Sequence, residues 1–191
     1  MRVGISGHRN LGGNTEFVAL TLRQELARLR EAHPEEIVAV SALAEGADTL
    51  FAEAALALGI PLEAVIPFQT YADDFSPGPA RETYQRLLRQ ARTVHRLPYP
   101  NRSNKAYLEA GYWLVDHSDI LIAVWDGQPP RGEGGTGHIV YYARLCERPL
   151  VLINPMTHAV REERTYMGPS MDKYDELSLI HILTLPTILR V

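Results

Sequence analysis

The sequence is short of cysteine, and that bounds its chemistry first. Cys146 is the only one in 191 residues, so the chain cannot close an internal disulfide or build a thiolate metal site. Cys146 is expected to be a buried residue of a helix. The seven histidines are scattered without HExxH or Cys/His spacing, and no metal is expected. Serine nucleophile chemistry also lacks its signature, because no GxSxG elbow is present. No apolar stretch reaches the roughly 18 residues needed to cross a bilayer, and the chain enters a strand-like run at Arg2 without a signal peptide. A cytoplasmic protein with no membrane association is the expectation. There is no excess of positive charge either: 19 Lys and Arg stand against 23 Asp and Glu, for a formal net charge of -4. Duplex binders depend on clustered cations to neutralise phosphates, so nucleic acid is expected to be an unlikely partner. Finally, neither GxGxxG nor a P-loop ending in Gly-Lys-Ser/Thr occurs, so a classical NAD or ATP site is not indicated and no cofactor is expected.

What remains is ordinary globular composition, with 46% apolar and 22% charged residues, arranged as alternating strands and helices. Strands are read at Arg2 to Ser6, Ile37 to Val40, Leu62 to Ile66, Thr93 to Leu97, Ile120 to Val124 and Leu150 to Ile153. Between them, helices are read at Thr15 to His33, Ala47 to Leu58, Pro79 to Arg92, Ala106 to Val115 and Thr136 to Leu145. Val18, Leu22, Leu26 and Leu29 recur at helical spacing in the first helix, and Pro34 stops it. Ile120 to Val124 is apolar throughout, as a central parallel strand buried on both faces should be. The predicted fold is α/β, a three-layer, Rossmann-like, doubly wound and mainly parallel sheet spanning residues 1–160. Residues 161–176 are read as a C-terminal extension, expected to be truncated. Residues 177–191 are read as a non-native tail, because Leu177 to Thr187 matches the translation of a transposase-type sequencing adapter with one inserted base.

In such a sheet, ligands bind outside the carboxyl ends of the strands, which directs attention to three glycine-bearing turns. After the fifth strand, Gly132 Glu133 Gly134 Gly135 Thr136 Gly137 opens a helix whose first amides have no intrahelical partner. Glycine there permits close approach of backbone to an anion, and the Thr136 hydroxyl can add a donor or cap the helix. Gly134, Gly135, Thr136 and Gly137 are the candidate phosphate cradle. After the first strand, Gly7, His8 and Arg9 supply a small residue and two donors to an anion. After the second, Ala44 Glu45 Gly46 Ala47 Asp48 pairs a permissive glycine with carboxylates. Asp48 reads as a helix-start residue, while Glu45, and Asp126 after Trp125, could face the crevice and accept ribose hydroxyls. Arg86, Arg89, Arg92, Arg96 and Arg102 form a local cluster read as a solvated helix face. Tyr107, Tyr112 and Trp113 are read as core or as an aromatic wall.

In their order along the chain, Gly7 His8 Arg9, then Ala44 Glu45 Gly46 Ala47 Asp48 Thr49, then Val124 Trp125 Asp126 Gly127 through Gly134 Gly135 Thr136 resemble the SLOG superfamily. That superfamily joins the DNA-processing protein DprA to the Lonely Guy phosphoribohydrolases. The resemblance covers roughly residues 1–155. It implies a Rossmann-like fold in which the Gly134 Gly135 Thr136 turn binds phosphate. This sequence departs from the phosphoribohydrolases three residues after the threonine, where their glutamate is replaced by Ile139.

Two functions are compatible with these residues. One is a sensor or ligand-binding module for a nucleotide or nucleotide-derived phosphorylated ligand, acting through a protein partner or a homo-oligomer. The other is a hydrolase of an N-glycosidic or phosphoribosyl bond, with Glu45 and Asp126 as catalytic carboxylates and Arg9 and the glycine turn holding phosphate.

Overall fold

A computed structural model describes residues 1–129 and 134–164. Gly132 and Glu133 of the glycine turn, most of the proposed extension and the whole adapter-like tail therefore lie outside the described residues.

The strands are β1 (Arg2–Gly7), β2 (Val38–Ser41), β3 (Leu62–Ile66), β4 (Thr93–Arg96), β5 (Ile120–Val124), β6 (Leu150–Ile153) and β7 (Val160–Glu163). The helices are α1 (Thr15–Ala32), α2 (Ala47–Ala57), α3 (Pro79–Gln90), α4 (Asn104–Asp116) and α5 (Thr136–Leu145), with a short 3₁₀ turn at Tyr71–Asp74. They build one sheet in the order β4-β3-β2-β1-β5-β6-β7. All neighbours are parallel except β6 and β7. The expected α/β, Rossmann-like, mainly parallel fold is what forms. The antiparallel edge strand β7 is an addition that the sequence did not announce: Val-Arg-Glu-Glu has neither an apolar run nor an apolar/polar alternation.

Apolar strands alternate their side chains between two helical layers. Ile122 and Val124 of β5 join Val3 and Ile5 in one cluster with Val18, Leu22 and Leu26 of α1 and Phe51 of α2. Leu121 and Ala123 face the other way, onto Leu108, Tyr112 and Val115 of α4 and Ile139 and Val140 of α5. Every described residue of β5 except the first is buried, so the β-branched run is stabilised on both faces. Ser103 caps α4 by accepting a hydrogen bond from the Ala106 amide at 3.1 Å, which places the helix start two residues before the apolar pattern begins. Cys146 is not the buried helical residue expected: it follows the last turn of α5 and is exposed.

The strand order fixes where a ligand can sit. The chain passes from β1 outward through β2, β3 and β4, then returns across α4 to place β5 on the other side of β1. The loops leaving β1 and β5 therefore diverge, opening a crevice between the carboxyl ends of these neighbouring strands. At the amino ends, the charges are matched internally: buried Glu63 lies 2.9 Å from Arg2 and 3.0 Å from His95.

Candidate functional site

The crevice holds a cavity of about 440 Å³ bordered by His8, Arg9, Trp125, Asp126, Met156 and the start of α5. Three of its walls come from loops that the sequence singled out, and a fourth comes from the β6–β7 hairpin.

At the first wall, His8 continues β1 by donating its amide to Val124 O at 3.1 Å. Its Nε2 lies 3.1 Å from the Asp126 amide nitrogen and 3.1 Å from Asp126 Oδ1. The amide contact requires a lone pair on Nε2 and the carboxylate contact a proton, so Nε2 makes one of the two at a time. Asp126 is further ordered by accepting the Gln128 amide at 3.0 Å, and its carbonyl accepts Asn154 Nδ2 at 3.2 Å. Asn154 also takes the amides of Met156 and Thr157 on its Oδ1, which fastens the hairpin tip beside the cavity.

Arg9 leaves the same loop in the opposite direction. Its Nη2 lies 3.2 Å from Asp74 Oδ2, and its guanidinium sits 5.4 Å from the centre of the Tyr107 ring. Asp74 also receives Arg102 Nε at 3.2 Å and the Tyr107 hydroxyl. The Asp74 side chain is 4% exposed, against 47% for Arg9. Burial opposes the charge on Arg9, but hydrogen bonds with Tyr107 and Asp74 hold its pKa above the ordinary value. Burial first, and then the Asp74 bond, raises that of Tyr107. Arg9 is thus held in place rather than free. Two guanidiniums share one carboxylate, which leaves the group with a surplus positive charge.

The start of α5 forms the third wall. Gly134 takes φ +80, where a Cβ would come within 3.2 Å of the Leu108 amide nitrogen, so its glycine is set by conformation and by contact with α4. Gly135 is different: as N-cap it has φ -71 and ψ 160, extended values open to any residue. Gly135, Thr136 and Gly137 all border the cavity. Thr136 does not cap the helix, since the N-cap is Gly135 and no side chain bonds there. The His138 amide donates to Gly135 O at 2.9 Å, while the amides of Thr136 and Gly137 have no intrahelical partner among the described residues.

Gly7 and Gly46 border the loops for a packing reason. A Cβ on Gly46, which has φ +83, would fall 2.3 Å from Arg9 O and 2.5 Å from His8 O, while a Cβ on Gly7 would fall 2.4 Å from Ala47 Cβ. These two glycines let the β2–α2 turn press against the β1–α1 loop, and the Ala47 amide donates to His8 O at 3.2 Å across the contact. Glu45 in that turn is exposed and borders neither cavity at these loops. The structure therefore does not bring Glu45 and Asp126 together. Asp48 does lie in the first turn of α2, but it is buried beside Ser41, whose Oγ is 3.4 Å from Asp48 Oδ2. Burial pushes its pKa up to about 7, against hydrogen bonds from Ser41 and backbone amides.

The participants that sequence reasoning missed are Asp74, Asn10, Pro155 and Met156. Asp74 carried one faint signal, an Asp73-Asp74 pair in the loop after β3. The hairpin residues carried none, because β7 itself was not legible.

The fold and the crevice define a Rossmann-like α/β protein with a switch-point cavity. Among solved structures, it is similar to the DNA processing protein A of Helicobacter pylori, described for its single-stranded DNA binding mode (TM-score 0.55, 18% identity, 96% of this chain and 72% of that one). It is also similar to DprA of Streptococcus pneumoniae (TM-score 0.56, 19% identity, 80% of this chain), of which it spans half the length. At this identity the likeness is one of fold, and the fold is the DprA-type Rossmann fold. No protein-family model matches the sequence, and no curated protein matches it. The expectation that nucleic acid is an unlikely partner is overturned by the first of these structures, since a protein of this fold binds single-stranded DNA. Net charge was the wrong criterion: a strand is held by local cations and stacking surfaces rather than by the formal balance of a whole chain. Among the described residues, no helix is long and apolar enough to cross a membrane.

Proposed function

We propose that this chain binds the phosphorylated part of a nucleotide or nucleotide-derived ligand in the crevice between β1 and β5, as a sensor or ligand-binding module. The observation that carries this reading is convergence. One cavity of about 440 Å³ is bordered at once by the first-turn amides of α5, by Arg9 and by the His8–Asp126 pair. Its size falls within the roughly 300–1,000 Å³ range of small-molecule sites. The amides at Gly135, Thr136 and Gly137 supply the anion-binding end, Arg9 supplies a charge, and Trp125 and Met156 supply apolar surface for a base. Phosphate is placed at α5 because amides and helix dipole favour an anion there without needing a further cation.

A single nucleic-acid strand is the second reading, favoured by the surplus positive charge at Arg9, Arg102 and Asp74 and by the DNA binding described for the Helicobacter protein of the same fold. The hydrolase reading is weakened, because Glu45 stands outside the cavity and leaves Asp126 as the one acidic candidate of the two. A thermal-shift screen of nucleosides, nucleotides and short oligonucleotides separates these readings, since a ligand raises stability by RT ln(1 + [L]/Kd). Chromatography of each stabilising ligand then shows whether it is turned over. Stabilisation by nucleotides without turnover supports the module. No stabilisation by any phosphorylated ligand contradicts it.

A further inference from the structure

A second cavity, of about 370 Å³, lies on the other side of the β1–α1 loop, between that loop and the start of α2. It shares Arg9, Asn10 and Gly12 with the first cavity. The loop therefore separates two adjoining spaces, and Arg9 borders both. The two spaces differ in chemistry. The second is bordered by Leu11, Leu50, Thr15 and Thr49, and Arg9 is its only charged border among the described residues. The Thr49 hydroxyl proton is committed to Ala44 O at 2.8 Å, which leaves its oxygen to accept. A neutral group with hydroxyls and an apolar face fits these borders.

We infer that the ligand is two nucleosides joined through phosphate, one on each side of the β1–α1 loop, with the linking phosphate held between Arg9 and the start of α5. The charge at Arg9 matches this arrangement. Arg9 and Arg102 share the single Asp74 carboxylate, so one positive charge is left for a linker carrying about one negative charge. Tyr107 and Asp74 fix the guanidinium from behind, so it need not be ordered when the linker arrives. Asn10 adds a donor on the loop: its Oδ1 accepts the Gly12 amide at 2.9 Å, and its NH₂ group has no partner among the described residues. A mononucleotide occupies the first cavity alone and leaves the second unused. This inference rests on the reading of the first cavity given above and adds the class of ligand.

The test is calorimetric titration with the common 5′-mononucleotides and with dinucleotides of the same bases, linked either through a phosphodiester or through a pyrophosphate. At least one dinucleotide should bind at least about tenfold tighter than its mononucleotide, a difference of about 1.4 kcal/mol. Thr15 is exposed at the start of α1 and borders only the second cavity. Thr15→Trp should therefore return the dinucleotide to mononucleotide affinity while leaving the mononucleotide unchanged. Hydrogen exchange gives an independent reading in the unmodified protein: the dinucleotide should protect amides at 12–15 and 46–50, and the mononucleotide should not. Equal affinity for the two ligands, or a Thr15→Trp variant that keeps the dinucleotide advantage, overturns the inference and leaves the first cavity's assignment standing. Affinity that continues to rise with each added nucleotide also overturns it, making a nucleic-acid strand the occupant. Binding of none of these ligands overturns both.

Discussion

Arg9 shows how little residue type says about role until its neighbours are known. In isolation it is a cation after a strand, as much a surface ion pair as a phosphate contact. In the fold it is half-exposed, borders both cavities and is backed by Asp74 and Tyr107. Losing one charged donor is worth about 1.5–3 kcal/mol, so Arg9→Ala should weaken phosphorylated ligands by roughly ten- to a hundredfold while leaving the parent nucleosides nearly unaffected. Calorimetry on both ligand sets checks this, and equal losses for both would deny Arg9 a phosphate contact. Asp48 is the other residue whose meaning burial changes. Unfolded, its carboxyl titrates near the ordinary value of 3.8; folded, burial holds it at about 7. Between these values the folded state keeps a proton that the unfolded state has lost, so stability falls as pH rises through that window and then levels off. The full cost is on the order of 4 kcal/mol. Asp48→Asn should abolish that slope in a denaturation series from pH 4 to pH 8, and an unchanged slope would show that other groups carry it.

At the scale of elements, most of the fold was legible because its signals are local. The runs at Leu62–Ile66, Ile120–Val124 and Leu150–Ile153 are short, apolar and bounded by turn residues, and they form strands at those bounds. Pro79 opens α3 because its fixed φ and missing amide suit a first turn. What was illegible depends on contacts between distant segments. β7 is polar and exists through pairing with β6. The convergence of Asp74, Arg102 and Tyr107 on one point requires the 3₁₀ turn after β3, the loop before α4 and the first turn of α4 to be in place at once. Even the glycines of the candidate site divide on this ground. Gly7 and Gly46, read as ligand contacts, are explained by the close approach of two loops. Gly135 has no special dihedral, and as the N-cap of α5 it makes no side-chain bond. Gly46→Ala should accordingly act on stability: an added Cβ at φ +83, within 2.5 Å of two carbonyl oxygens, costs at least about 1–3 kcal/mol in backbone strain. A melting temperature unchanged from the parent would contradict the packing role.

For the whole molecule, the decisive feature is the order of the strands. Because β1 lies between β2 and β5, its loop and that of β5 part at the carboxyl edge, and the crevice follows from topology before any side chain is chosen. Backbone and side chains then give it polarity: the start of α5 and Arg9 on one part of its border, Trp125 and Met156 on another. The net charge of -4 is compatible with anion binding because the acidic groups nearest Arg9 are already engaged. On the proposed reading, the start of α5 receives phosphate through its backbone. Gly135→Val tests it most directly, since the extended backbone at Gly135 accepts valine and the change places a side chain beside the amides without distorting the helix. Calorimetry of the folded variant should show nucleotide binding lost, with its melting temperature close to that of the parent. Nucleotide affinity equal to the parent's would place the phosphate elsewhere and contradict the account.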